Sequence, residues 1–369
     1  MTALETLLLV VPLAGALYLA LANLSVLSFA RRPLEAASEF LPSISILKPI
    51  AGLEPELYEN LRSACDQQYD AFYEVILCLH ASDDPARAIA ERLQSQFPSA
   101  VRIAAGQKAG LSNPKIANLA KPGAEPRGEI VAIADSDICV GRDYLRALAA
   151  SFASAATGAV TCLYAGMPNP AIASRLGALQ IEDGFIPSVL VALALGKLRF
   201  CLGATMAVRR SVLEEIGGLE ALGTVLADDH KLGELVALHG KEVELSRYVV
   251  RTTVPETTMP ALWSHELRWA RTNLALAPAG YAFSFLMYAL PFALMYLAVS
   301  RNLSWGLPLL AVVVALRLSL HYLGRVALGV RGRDDAWLIL PRDFLSLAVW
   351  FVSLFGRNVR WRGKRFRAG

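Results

Sequence analysis

The chain is short of charge. Of its 369 residues, 18% are Asp, Glu, Lys or Arg, against about 25% in an average soluble domain. Hydrophobic residues make up 55%, so part of the chain suits lipid, and the length allows one sizeable soluble domain beside the membrane segments. The net charge of +4 is too mild to argue for nucleic acid, and no such partner is expected. The five cysteines, Cys65, Cys78, Cys139, Cys162 and Cys201, show no CxxC spacing and are odd in number. They read as reduced thiols of a cytosolic domain, neither disulfides nor zinc ligands. There is no GxxxxGK[ST] and no GxGxxG, which removes support for a P-loop or a dinucleotide fold. Internal repeats, low-complexity stretches and long linkers are missing as well.

What is present begins with lipid-compatible runs. Residues 6–29 carry no charge and are long enough for a hydrocarbon core of about 30 Å. Glu5 precedes the run and no basic region does, which favours a retained anchor over a signal peptide. Arg31 and Arg32 follow at once, placing the next domain in the cytoplasm by the positive-inside rule. Further runs cover 281–300 and 303–324, the second interrupted by Arg317 and His321. The stretch 343–356 is short for a span and lies between a basic loop (325–333) and a tail, 357–369, with six cations and no acid. It is predicted to re-enter or lie in the interface, the alternative being a tilted span that starts near Trp337.

From residue 43 the pattern becomes α/β. "ISILKP", "YEVILCLH" (73–80), "VRIAAG" and "EIVAIADSD" (129–137) read as strands. Between them, 54–68 and "DPARAIAERLQSQF" read as helices, with Asp83 or Asp84 as cap and Pro85 at the first helical position. Such alternation predicts a mostly parallel sheet with helices on both faces, whose ligands bind at the carboxyl ends of the strands.

Acids lie at those ends. Asp135 and Asp137 stand two apart, on one side of an extended chain, where they repel unless a cation joins them. Hard oxygen ligands suit Mg²⁺ or Mn²⁺ beside a substrate phosphate. Asn113 and Pro114 read as the start of a short helix able to hold an anion, with Lys115 at hand. Asp228 and Asp229 open a later helical run. Spacing alone does not separate a helix-end pair from a general base. Glu182 and Asp183 interrupt the apolar stretch 178–196. Either the helix ends near Gly184 and the acids face water, or they receive acceptor hydroxyls.

Taken in order, "SILKPIAG", "SDDPA", "NPKIANL", "IADSD", "LGATMAVRR", "IGGL", "LADDH" and "HELRWART" resemble the ceramide glucosyltransferase family of inverting, nucleotide-sugar-dependent glycosyltransferases with a GT-A fold. "QIEDGFIPSVLVA" and "RFCLGATMAVRR" are most similar to a bacterial branch associated with hopanoid biosynthesis. The resemblance implies that Lys48 lies near the nucleotide, Asp84 contacts the uracil-ribose part, and Asp135 and Asp137 serve metal and diphosphate. It implies that Asp229 is the base, with Asp228 as runner-up, and that "HELRW" matches a (Q/R)xxRW box keeping Arg268 and Trp269 near the donor. His265 departs from that box. Pro187 falls in the stretch where animal ceramide enzymes carry a histidine.

The expected layout is an anchor over 1–30 and a cytoplasmic GT-A domain over 31–280, with interfacial helices near 170–200 and 258–280. Two spans plus a short segment over 281–356 and a basic tail over 357–369 complete it. The implied activity moves N-acetylglucosamine from its UDP donor to a polyhydroxylated hopanoid at a bacterial inner membrane, with UDP-glucose and ceramide as the alternative. A processive polysaccharide synthase needs more spans, and a nucleotide-sugar sensor leaves the conjunction of acids, base and cationic box unexplained.

Overall fold

The computed structural model describes residues 2–33, 39–332, 334–356, 358–361 and 364–367. Residues 357, 362, 363, 368 and 369 of the basic tail, and Arg333 of the basic loop, lie outside the described residues. The chain divides into two compact units. One comprises Arg32–Ala165 and Gly196–Thr253, and the other Met1–Arg31, Gly166–Leu195 and Val254–Gly369.

The first unit is built on strands β1 (Ile44–Ile50), β2 (Tyr73–Leu79), β3 (Val101–Ala105), β4 (Ile130–Ile133), β5 (Ile138–Cys139), β6 (Thr157–Pro168), β7 (Met206–Arg209) and β8 (Glu242–Val254). Among the described residues these form one sheet in the order β3-β2-β1-β4-β7-β6-β8-β5. Its first half is parallel, as the strand-helix alternation predicts. Strand β7 runs antiparallel to both β4 and β6, and β5 antiparallel to β8, which alternation alone does not reveal. Every residue of β1 and β4 is buried, and each Ile or Leu so buried contributes about 1.5–3 kcal/mol. Cys65, Cys78, Cys162 and Cys201 are buried, as expected of core thiols.

Two local expectations need correction. The helix after β2 starts at Arg87, beyond Pro85, and has no side-chain cap. Asp84 is drawn away to the glycine turn after β1, where Gly52 N–H donates to both carboxylate oxygens at 3.1 Å. Gly52 has φ 78°, a conformation glycine adopts without steric cost. Strand β4 ends at Ile133, so Asp135 and Asp137 lie in a bend and not on an extended strand.

The second unit is helical. Among the described residues, five helices are long and apolar enough to cross a membrane by length and composition: Ala3–Arg31, Ile172–Leu195, Pro278–Ser300, Leu303–Ala327 and Ala336–Ser353. The last is longer than the apolar run over 343–356 foretells. Arg342 and Asp343 interrupt the hydrophobic pattern, yet both are buried in ion pairs and the helix passes through them. Nor does the helix end at Gly184. A π turn over Gln180–Phe185 carries Ile172–Leu195 onward, and Glu182 and Asp183 are buried instead of facing water.

Candidate active site

Strand pairing sets the bend after β4. Ala134 N donates to Leu47 O at 3.1 Å. Beside it the buried Lys48 ammonium donates to Asp135 O at 2.9 Å and Ile138 O at 3.0 Å. Lys48 is therefore spent on the backbone that presents the acids. Burial lowers its pKa to about 8 against the pull of Asp137 and Asp135. Ser136 Oγ donates to Glu54 at 2.6 Å. Thr252 Oγ1 donates to Asp137 Oδ2 at 3.0 Å. Burial and the neighbouring Asp135 nevertheless push Asp137 up to about 6, because a desolvated charge beside a like charge is disfavoured.

A second pair of acids faces this bend. Asp228 and Asp229 begin the helix Asp228–Leu238. Lys115 Nζ joins the two groups, 2.8 Å from Asp135 Oδ1 and 3.1 Å from Asp228 Oδ2. Burial alone lowers a lysine pKa, but Asp135 and Asp228 outweigh it and hold Lys115 above its ordinary range. Asn113 caps its short helix as predicted, its side chain accepting from Lys115 N and Ile116 N at 2.9 and 3.2 Å. The helix start proposed for an anion thus has those donors already satisfied. Asn113 Nδ2 also lies 3.4 Å from Asp228 Oδ1.

Asp229 is less constrained. Its Oδ1 accepts from His230 N at 2.8 Å, and its backbone carbonyl from Cys201 N at 3.1 Å. Burial first and Asp228 next push it up to about 6, against Lys115. Spacing left the two aspartates equivalent. In the fold Asp228 is neutralised by Lys115, while Asp229 is a raised-pKa carboxylate whose Oδ2 faces Gly203.

Two residues of this cluster escape sequence reasoning. A Cβ on Gly203 would stand 3.4 Å from Asp229 Oδ2 and 3.5 Å from Asp135 Oδ2. Tyr164, on β6, is buried, and its phenol pKa is raised by burial and then by the charges of Asp229, Asp137 and Asp135. Their signals were a glycine inside "LGATM" and a tyrosine near the end of a buried run, neither distinctive without the fold. Asp84, by contrast, clamps a turn, accepting from Ala86 N at 2.9 Å besides Gly52.

The remaining candidates belong to the helical unit. In the helix Met259–Leu276, capped by Thr258, His265 Nδ1 pairs with Glu256 and meets Trp269 edge-on, ring centroids 4.4 Å apart. The Arg268 guanidinium is half-buried, which lowers its pKa against the pull of Glu256. Glu266 is held by Arg342 through two bonds of 2.6 and 2.7 Å. Asp183 is bound by Arg317 at 3.1 Å and His321 at 2.9 Å.

The residues present fit a divalent cation. Their donors are hard carboxylate oxygens, two of them mutually repelling, and Gly203 leaves a cradle beside Asp135 that a Cβ would fill. Among the described residues no group of three or more His, Cys, Asp or Glu could hold a metal. Such a pair suits an ion whose remaining positions go to water and substrate phosphates.

The model of glycosyl transferase family 21 matches residues 7–369. The chain belongs to glycosyl transferase family 21. Among curated relatives, this family 21 chain is 26% identical to ceramide glucosyltransferase 1 of Caenorhabditis elegans over 64% of its own length and 51% of that protein. It is 24% identical to ceramide glucosyltransferase 3 of the same organism over 88% of its length and 72% of that protein. The chain thus spans about half the length of the first of these relatives. In fold it is similar to a mannosyltransferase from Pyrobaculum calidifontis solved with GDP-Man and Mn²⁺, with a TM-score of 0.56 at 19% identity, covering 95% of this chain and 97% of that one. The fold is GT-A-like, a mixed α/β sheet joined to apolar helices.

Proposed function

We propose that this family 21 chain is a membrane-bound inverting glycosyltransferase that moves a sugar from a UDP-sugar to a hydroxyl of a lipid acceptor. The observation that carries this reading is the pairing of a bent, acid-bearing strand end with Asp229, a carboxylate of raised pKa left outside the Lys115 bridge. In the reaction the acceptor oxygen attacks the anomeric carbon from the face opposite UDP. Its proton passes to Asp229, and the bond to the diphosphate breaks with its electron pair leaving on phosphate. Asp229 is assigned this role over Asp228, whose charge Lys115 already balances. A divalent cation, Mg²⁺ or Mn²⁺, held by Asp137 with Asp135, supplies Lewis-acid charge on the leaving diphosphate when bound.

Lys48 fixes the bend, Asp84 shapes the turn after β1 for the uracil-ribose part, and Lys115 keeps Asp135 in place. Arg268, beside Trp269 and the His265–Glu256 pair, is assigned to diphosphate charge. Glu182 and Asp183 are assigned to the acceptor side. Apolar helices support membrane attachment. The finer reading is N-acetylglucosamine passed to a polyhydroxylated hopanoid, with the catalytic unit on the cytoplasmic side of a bacterial inner membrane. The similarity to ceramide glucosyltransferases favours UDP-glucose and ceramide as the second reading. Incubating membranes that contain the protein with labelled UDP-glucose or UDP-N-acetylglucosamine, then identifying the labelled lipid, tests both. Label in a hopanoid from the N-acetylglucosamine donor supports the first, and label in ceramide from UDP-glucose supports the second.

A further inference from the structure

Gly203 is a glycine that its own backbone does not require. Its φ lies outside the left-handed region, where ten other described glycines are found. Packing does not require it either, since the nearest atoms to a Cβ would lie at ordinary van der Waals distance. Elsewhere in this unit glycines do answer packing. A Cβ on Gly128 would stand 2.5 Å from the backbone nitrogen of Ser45. What a side chain at 203 would meet is chemistry: Asp229 Oδ2 at 3.4 Å and Asp135 Oδ2 at 3.5 Å.

The turn that presents Gly203 is held from several directions. Leu202 and Thr205 form a bridge across Gly203 and Ala204, closed by Thr205 N on Leu202 O at 3.1 Å. Thr161 Oγ1 accepts from Leu202 N at 2.8 Å and donates to Thr205 O at 2.7 Å. Cys201 N donates to Asp229 O at 3.1 Å, tying the turn to the helix that carries the base candidate. A turn anchored in this way does not swing aside to accommodate a side chain.

We infer that Gly203 is a positioning residue of the transfer step, keeping open the space from which a reacting group touches both Asp229 and Asp135. The inference rests on the glycosyl-transfer reading and adds the place where the two substrates meet. The attacking hydroxyl must reach Asp229, and the sugar diphosphate must lie by Asp135. A group seated against Gly203 reaches both oxygens, and a Cβ takes that seat.

A size series at one position tests it: Gly203→Ala, Gly203→Ser and Gly203→Val in the full-length protein, assayed with labelled UDP-sugars and membrane lipid in the presence of Mn²⁺. Misplacing reacting groups by about 1 Å costs about 100-fold in rate. The expected result is a loss of transfer on that order for Ala, deepening with size. Tm should stay within about 2 °C, given that a 1 kcal/mol change moves it by more in most domains, and UDP affinity within about twofold. Transfer by Gly203→Ala within about twofold of wild type overturns the inference. So does a loss of transfer that tracks a fall in Tm, since that makes Gly203 structural. A wild-type protein that labels no lipid from either donor sinks the underlying reading instead, whatever the variants do.

Discussion

Two groups of buried acids, one in each unit, are treated in opposite ways. In the helical unit three buried carboxylates meet full cationic partners: Glu266 receives two bonds from Arg342, Asp183 is shared by Arg317 and His321, and Asp343 lies 3.0 Å from Arg317. In the sheet unit four carboxylates, Asp135, Asp137, Asp228 and Asp229, share two lysines: Lys115 pairs with Asp135 and Asp228, and Lys48 gives its hydrogen bonds to backbone carbonyls. Balanced pairs hold helices in register inside an apolar setting, where an unpaired charge is expensive. An unbalanced cluster holds carboxylates at raised pKa, ready for a cation or a proton. Carboxylates in excess of their cations therefore mark the candidate site of chemistry.

The comparison breaks most sharply at Asp229. Asp229→Asn should lower turnover by about 10²–10⁴-fold, the usual contribution of a general base, with UDP-sugar binding retained in a titration. Its Tm at pH 7 should not fall, because burial already disfavours the ionised form. Asp228→Asn should cost less activity and some stability, since it leaves Lys115 with one acid.

Truncation in the helical unit should do the reverse. Arg342→Met leaves Glu266 buried without its partner, which should cost about 3–5 kcal/mol, read as a lower unfolding midpoint in detergent. If Arg342→Met and Asp229→Asn shift Tm equally, the division between matched and surplus charge fails.

Removing divalent cations with a chelator should abolish transfer, and Mg²⁺ or Mn²⁺ should restore it. Asp137→Asn should raise the metal concentration needed for half-maximal rate, because one of two hard ligands is lost.

The mildest effect concerns pH. Asp229 is pushed up to about 6 and acts as a base only when ionised. As pH falls through about 6 it takes up a proton, so kcat/KM should decline on the acid side with a slope near one proton. A profile flat down to pH of about 4.5, near an ordinary carboxylate, contradicts the assignment.

Much of the sheet unit was legible in sequence because strand-helix alternation and buried runs such as "IVAI" carry their own periodicity. The antiparallel placement of β7 was not, since β7 pairs with β4 and β6 across long separations that leave no local mark. Aspartates at strand ends announced the site. The choice between Asp228 and Asp229 depended on where Lys115 points, and Gly203 and Tyr164 became visible only through their neighbours. Sequence left open whether the helix ends near Gly184, because Glu182 and Asp183 look solvated. Their burial depends on a π turn and, for Asp183, on Arg317 and His321, more than 130 residues away in sequence. His265, the departure from the family box, pairs with Glu256 nine residues earlier.

The most direct test of the central claim is UDP release by purified full-length protein with Mn²⁺ and a UDP-sugar, measured with and without membrane lipid, for wild type and Asp229→Asn. The account predicts release that depends on the lipid, matched by labelled glycolipid, and lost in Asp229→Asn. Release that ignores the lipid, or survives in Asp229→Asn at the wild-type rate, contradicts it.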